Sequence, residues 1–300
     1  MSTSPTLPRP AAQAAGGPAR PGAVLTLSCP QRAGIVHAVS RFLVEHGFDI
    51  AEHQQFDDAV DGRLFLRTAF SAAEAVDAGA LAEEFAPVAA EFGMDYTFHD
   101  GARPRVLVMV SKFGHCLHDL IYRWQTGSLA ADLVAVVSNH EDLRPMAEAA
   151  GLPFVRVPVS AQTKPAAEAR LLELVGAYRA DLVVLARYMQ VLSDDLCRRL
   201  AGRAINIHHS FLPGFKGARP YHQAYERGVK QIGATAHYVT ADLDEGPIIE
   251  QEVIRVDHRL GPDQLATVGR DAEALALARA VRWHAEKRVL LNGHRTIIFT

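Results

Sequence analysis

The sequence predicts two α/β units in series: a ferredoxin-like α+β unit over residues 22–100, then a doubly wound, mostly parallel sheet over residues 103–300. Three observations support this. Short apolar runs of strand length alternate with stretches of helical periodicity. The first region follows the order β-α-β-β-α-β. A turn-rich link, His99-Asp100-Gly101-Ala102-Arg103-Pro104, separates it from the second. With 300 residues, 49 % of them apolar and 22 % charged, the chain can bury a core in each unit.

Residues 1–21 are rich in Pro, Ala and Gly and cannot bury enough surface to offset the entropy of ordering, so a disordered tail is expected there. Residues 23–28 (AVLTLS) alternate apolar and polar, as a half-buried strand does. Ile35, Val36, Val39, Phe42 and Leu43 share one helical face, and Gly47 follows as a stop. Strands are expected over 49–56 and 63–70, joined by a hairpin around Asp61-Gly62. A helix over 73–92 and a strand over 94–98 complete the unit.

In the second unit, residues 105–110 (RVLVMV) form an apolar run of the buried parallel-strand kind. A helix over 118–125, a strand over 132–137, a helix over 142–150 and a strand over 154–157 follow. The helix over 164–178 then leads to the buried strand 182–185. In such sheets ligands bind beyond the carboxyl ends of the strands.

The formal charge is −3, with 31 basic and 34 acidic residues and no basic block, which argues against a nucleic-acid partner. No apolar run approaches the ~20 residues of a membrane span. The three cysteines, Cys29, Cys116 and Cys197, lack paired spacing, so a reducing cytoplasm is expected.

The chemistry concentrates in residues 204–247. Residues 204–208 (AINIH) read as a strand on which Asn206 and His208 point to the same side. At the end of a strand, an amide can donate to a developing oxyanion while an imidazole shuttles a proton. Pro213-Gly214 and Gly217 shape the next loop, and a helix is expected to start near Pro220. A further strand over 233–239 leads into an acidic loop over 240–247, where a carboxylate can orient water or raise the basicity of a histidine. Asp-rich loops also commonly do no more than satisfy backbone donors.

Asn206-Ile207-His208, Ser210-Phe211-Leu212-Pro213 and Leu243-Asp244-Glu245-Gly246-Pro247 together resemble the signature of folate-dependent formyltransferases over residues 103–300. The resemblance implies that Asn206, His208 and Asp244 act together at the formyl carbon. It also places folate against residues 186–193 (ARYMQVLS), where Met189, Val191 and Leu192 supply apolar surface, and against Val239 on the other wall. Met189 and Leu192 equally fit ordinary core at helical spacing.

Relatives that formylate a phosphorylated amine carry a glycine-rich anion loop after their first strand. Here that place reads Ser111-Lys112-Phe113-Gly114-His115-Cys116-Leu117-His118, with one glycine and a bulky Phe113, so such an acceptor is poorly held. A tRNA acceptor is also disfavoured, because no basic domain follows. Ser111-Lys112, His208-His209-Ser210, Gly217-Ala218-Arg219-Pro220-Tyr221-His222, Gly269-Arg270-Asp271 and Asn292-Gly293-His294-Arg295-Thr296-Ile297-Ile298 instead resemble the branch of the family with water as acceptor. That branch hydrolyses 10-formyltetrahydrofolate to formate and tetrahydrofolate, balancing one-carbon and purine metabolism. It implies the folate as substrate and no bound cofactor.

The first unit, with Cys29-Pro30 leading to Gly34-Ile35-Val36, resembles an ACT domain. That leaves two roles open: an amino-acid effector site, or only the building of a homo-oligomer. Gln31 stands where many such domains carry an acid. His115, Cys116 and His118 offer three metal ligands without a fourth at zinc-like spacing, and no oriented base for a thiolate is legible, so neither a metal site nor a Cys–His hydrolase is expected. Transfer to an unphosphorylated amine, and a silent amino-acid sensor, are the alternative functions. Intact Asn206, His208 and Asp244 oppose the second.

Overall fold

The computed structural model describes residues 22–71, 76–214 and 220–300. The expected tail, the first residues of the helix at 73, and Gly217-Ala218-Arg219 lie outside the described residues.

The first unit runs β1 (Ala23–Pro30), α1 (Ile35–Glu45), β2 (Asp49–Asp58), β3 (Arg63–Ser71), α2 (Ala78–Phe92) and β4 (Asp95–His99). Its sheet is antiparallel with order β2-β3-β1-β4, the split β-α-β arrangement. Alternation puts Leu25, Leu27, Leu66 and Phe70 beneath the helices, where Phe42, Phe85 and Phe98 meet them. Phe85 and Phe98 pack edge to face at 5.5 Å, the geometry favoured by the ring quadrupoles. Asp77 caps α2 by accepting from the Gly79 and Ala80 amides at 2.9 and 3.0 Å.

The second unit holds β5 (Arg105–Val110), α3 (His115–Gln125), β6 (Asp132–Ser138), α4 (Arg144–Ala149), β7 (Phe154–Arg156), α5 (Lys164–Ala177), β8 (Leu182–Leu185) and α6 (Asp194–Arg199). It continues with β9 (Ala204–His208), α7 (Pro220–Glu226), β10 (Gln231–Tyr238), β11 (Ile248–Arg255), α8 (Pro262–Ala285), β12 (Val289–Asn292) and β13 (Arg295–Ile298). The large sheet has order β11-β10-β9-β8-β5-β6-β7. Strands β5 to β9 are parallel, and β10 and β11 add an antiparallel edge. From β5 the chain moves outward to β6 and β7, then crosses back through α5 to β8. The order therefore reverses between β5 and β8, and a cleft opens at their carboxyl ends.

The helix α3 starts at His115, three residues ahead of the sequence expectation of 118, with Gly114 as N-cap. The helix α4 is shorter than expected because Pro145 holds its first turn and Gly151, at φ 75°, lies just beyond its C-cap.

A charged network joins the two units. The 2 %-exposed Arg67 donates to Glu52 at 2.6 Å and to the Glu286 carbonyl at 3.0 Å, while Arg288 reaches Glu52 at 3.0 Å. Beside it, burial pushes His99 at the end of β4, and His284 on α8, down to a pKa of about 4, with the Lys287 ammonium acting in the same direction. Burial likewise takes His209 to about 4. Unfolded histidine titrates near 6.5, so between these values the unfolded chain binds more protons and stability falls as pH falls. Urea midpoints measured from pH 7.5 down to 4.5 are expected to drop steeply below about 6.5. A flat profile would show these imidazoles protonated in the folded chain.

Candidate active site

The strand β9 ends in the cleft. Ile205 and Ile207 enter the core under α3 and α8, so alternation turns Asn206 and His208 to the opposite face. Asp244 reaches His208 from the loop after β10. The Tyr238 amide donates to the Pro247 carbonyl at 2.9 Å and closes this loop tightly. At Gly246 a Cβ would overlap the Tyr238 carbonyl, so only glycine allows the closure. Asp244 itself sits at φ 58°, a left-handed position that Asp and Asn tolerate better than other side chains.

His208 Nδ1 lies 3.3 Å from Asp244 Oδ1, and both side chains are largely buried. The hydrogen bond from His208 holds the Asp244 carboxyl below its ordinary range, outweighing the opposing effect of burial. His208 Nε2 is buried with no hydrogen-bond partner among the described residues. Asn206 is fixed by a residue that the sequence reading does not single out. His237, directly across the β9–β10 ladder, has Nδ1 at 2.8 Å from the Tyr238 carbonyl. That nitrogen must donate, so Nε2 accepts from Asn206 Nδ2 at 3.2 Å. Burial lowers the His237 pKa and keeps the ring neutral in this role. The Asn206 amide is thereby oriented, with its second N–H left for a substrate carbonyl.

The four residues expected to line the folate pocket divide into two pairs. Leu192 and Val239 are partly buried against one apolar cluster that includes Leu196 and Leu200. Met189 and Val191 are 52 % and 56 % exposed, so neither belongs to the core. Ser111 ties their loop to the end of β5, accepting from the Met189 amide at 3.0 Å and donating to Asn139 Oδ1 at 2.7 Å.

On the other side of the cleft stands Glu273 of α8, 1 % exposed. It accepts from His115 Nε2 and from the Tyr221 hydroxyl, each at 2.7 Å. Tyr221 can reach it because Gly269 lacks a Cβ, which would overlap the phenol. Burial opposes ionisation, but the His115 hydrogen bond and the Arg187 guanidinium hold Glu273 below the usual carboxylate range. Arg187 Nε lies 3.3 Å from Glu273 Oε2, and its guanidinium carbon sits 5.6 Å from the centre of the Phe113 ring. The ligand atoms of His115, Cys116 and Glu273 fall within 4.8 Å of one another. Both Glu273 oxygens are already engaged there, and burial pushes the Cys116 thiol well up, which keeps it protonated and unreactive.

The residues 104–281 match the family model described as Formyl transferase. A formyltetrahydrofolate deformylase of Corynebacterium sp. (strain P-1) is 57 % identical over 92 % of this chain and 97 % of its own length. The crystal structure of the formyltetrahydrofolate deformylase of Burkholderia mallei superposes with a TM-score of 0.87 at 56 % identity, covering 93 % of this chain and 99 % of that one. The glycinamide ribonucleotide transformylase 1 of Symbiobacterium toebii is more distant, at TM-score 0.64 and 32 % identity, and covers 67 % of this chain and 97 % of its own. The chain belongs to the formyl transferase family and, within it, to the formyltetrahydrofolate deformylases.

Proposed function

We infer that this chain hydrolyses 10-formyltetrahydrofolate to formate and tetrahydrofolate. The observation that carries the reading is the buried, unpartnered Nε2 of His208, backed by Asp244 and set beside the oriented Asn206 amide. Water adds to the formyl carbon, and the oxyanion receives N–H donors from Asn206 and protonated His208. Asp244 positions the water and stabilises the imidazolium. The C–N bond then breaks and the folate nitrogen leaves with a proton. Folate lies against Leu192 and Val239, with Met189 and Val191 closing over it from the exposed loop.

Given only 10-formyltetrahydrofolate in buffer, the protein is expected to release formate and tetrahydrofolate in equal amounts. Glycinamide ribonucleotide should neither accelerate the reaction nor become formylated, because Phe113 stands where a phosphate cradle needs open backbone. Formate release that required an added amine would instead establish a transferase.

The first unit serves as an ACT domain within a homo-oligomer. An open cavity of about 550 Å³ lies between the Gln31–His37 turn and Gln55, Asp57 and Leu64. Arg32 and Asp57 supply opposite charges there for an amino-acid effector, with Gln31 in place of an acid. Titration of free amino acids and light scattering test the two parts separately. Buried, unpaired Cys29, Cys116 and Cys197 suit a reducing cytoplasm.

A further inference from the structure

Arg187 is a buried cation whose donors are only partly used. It follows β8 at the reversal point of the sheet, is 9 % exposed, and holds a left-handed φ of 65°. Its Nε and Nη1 are buried without a hydrogen-bond partner among the described residues. Glu273 stands close, but its two oxygens already receive short bonds from His115 and Tyr221, and the 3.3 Å approach of Arg187 Nε is not aligned as a hydrogen bond. The arginine therefore has charge compensation without satisfied donors. A buried guanidinium left in that condition is costly unless a ligand completes it.

Its surroundings point to the ligand. Glu273 lies between Arg187 and Tyr221, the Tyr221 ring is 6.3 Å from that of His209, and His209 lies tilted at 5.1 Å beside His208. The Arg187 charge also acts on His209, where it lowers the pKa. The hydrolysis inferred above converts a neutral formyl amide and water into an amine, a proton and a carboxylate, so an anion appears in a cleft that already contains a cation. We propose that Arg187 is the binding group for the product formate, taking one carboxylate through its unpartnered N–H groups. Phe113 covers its face at 5.6 Å, and the planar fork presents its N–H groups edge-on, the geometry that matches a carboxylate.

The test uses the full chain and carbon-13-labelled formate, whose line broadening on titration reports binding without turnover. The wild-type protein is expected to bind formate, and formate to inhibit hydrolysis. Arg187→Met should weaken both by roughly tenfold or more, the loss expected for a charge-assisted hydrogen bond. Arg187→Lys keeps the charge without the planar fork and should fall between the two. If Arg187→Met does not fold, the lysine variant and the wild-type titration still decide. Formate held equally by wild type and either variant, or not held by the wild type, overturns the proposal. Because binding is read without substrate, that outcome is separate from a failure to hydrolyse 10-formyltetrahydrofolate, which would overturn the functional reading.

Discussion

Replacing Asp244 by Asn is expected to lower kcat by about a hundred- to ten-thousandfold, the range over which positioned acid–base groups contribute. The argument begins with the tautomer of His208. Asp244 Oδ1, 3.3 Å from Nδ1, can only accept, so the Nδ1 proton stays on that side and Nε2 faces the substrate. An asparagine there loses the negative charge that stabilises imidazolium, and its amide can turn an N–H towards Nδ1 and favour the opposite tautomer. The backbone remains suited to the change, since Asn tolerates φ 58° as well as Asp does. Thermal stability should therefore move little, and KM should change far less than kcat, because the interaction strengthens in the transition state. His208→Ala should cost a similar amount, and the double variant little more than either single one, because the two groups act as a unit. Steady-state kinetics of the four proteins check this. A near-normal kcat for Asp244→Asn would remove the carboxylate from the mechanism.

The sequence reveals this pair unevenly. Strand alternation alone puts Asn206 and His208 on one face, and apolar runs such as 182–185 reveal the buried parallel strands that carry that face to the cleft. Asp244 is different. Its place depends on a left-handed turn and on a glycine packed against the Tyr238 carbonyl, neither of which has a periodic signal. Only the resemblance of the LDEGP segment brings it to the histidine. His237 was within reach of register reasoning, since it stands opposite Asn206 once β9 and β10 are paired antiparallel. Glu273 and Arg187 were not. Glu273 meets His115 and Tyr221, and Arg187 meets Glu273, across large sequence separations, and Glu273 sits in an alanine-rich helix buried on several sides, where a lone acid reads as solvent-facing. Strand β11 and the hairpin β12–β13 also escape, because their alternating faces include residues exposed at a sheet edge.

The Asn206 amide leads to the second large effect. His237 commits its Nδ1–H to the Tyr238 carbonyl, so its other nitrogen can only accept, and one Asn206 N–H is permanently engaged. The remaining N–H is the donor that meets the formyl oxygen as negative charge develops. Asn206→Ala is expected to lower kcat by about 10²–10³-fold, or about 2.7–4 kcal/mol of barrier, as for a lost oxyanion donor. Asn206→Asp is nearly isosteric but should recover none of that activity at neutral pH. A carboxylate there places a lone pair against the unprotonated His237 Nε2 and a negative charge beside the oxyanion. The two variants together separate shape from donation: if size alone mattered, aspartate would restore turnover. Single-turnover rates at pH 7.5, with folate binding measured in parallel, provide the comparison. Recovery of activity in Asn206→Asp would show that the amide only fills space, and that His208 carries the oxyanion alone.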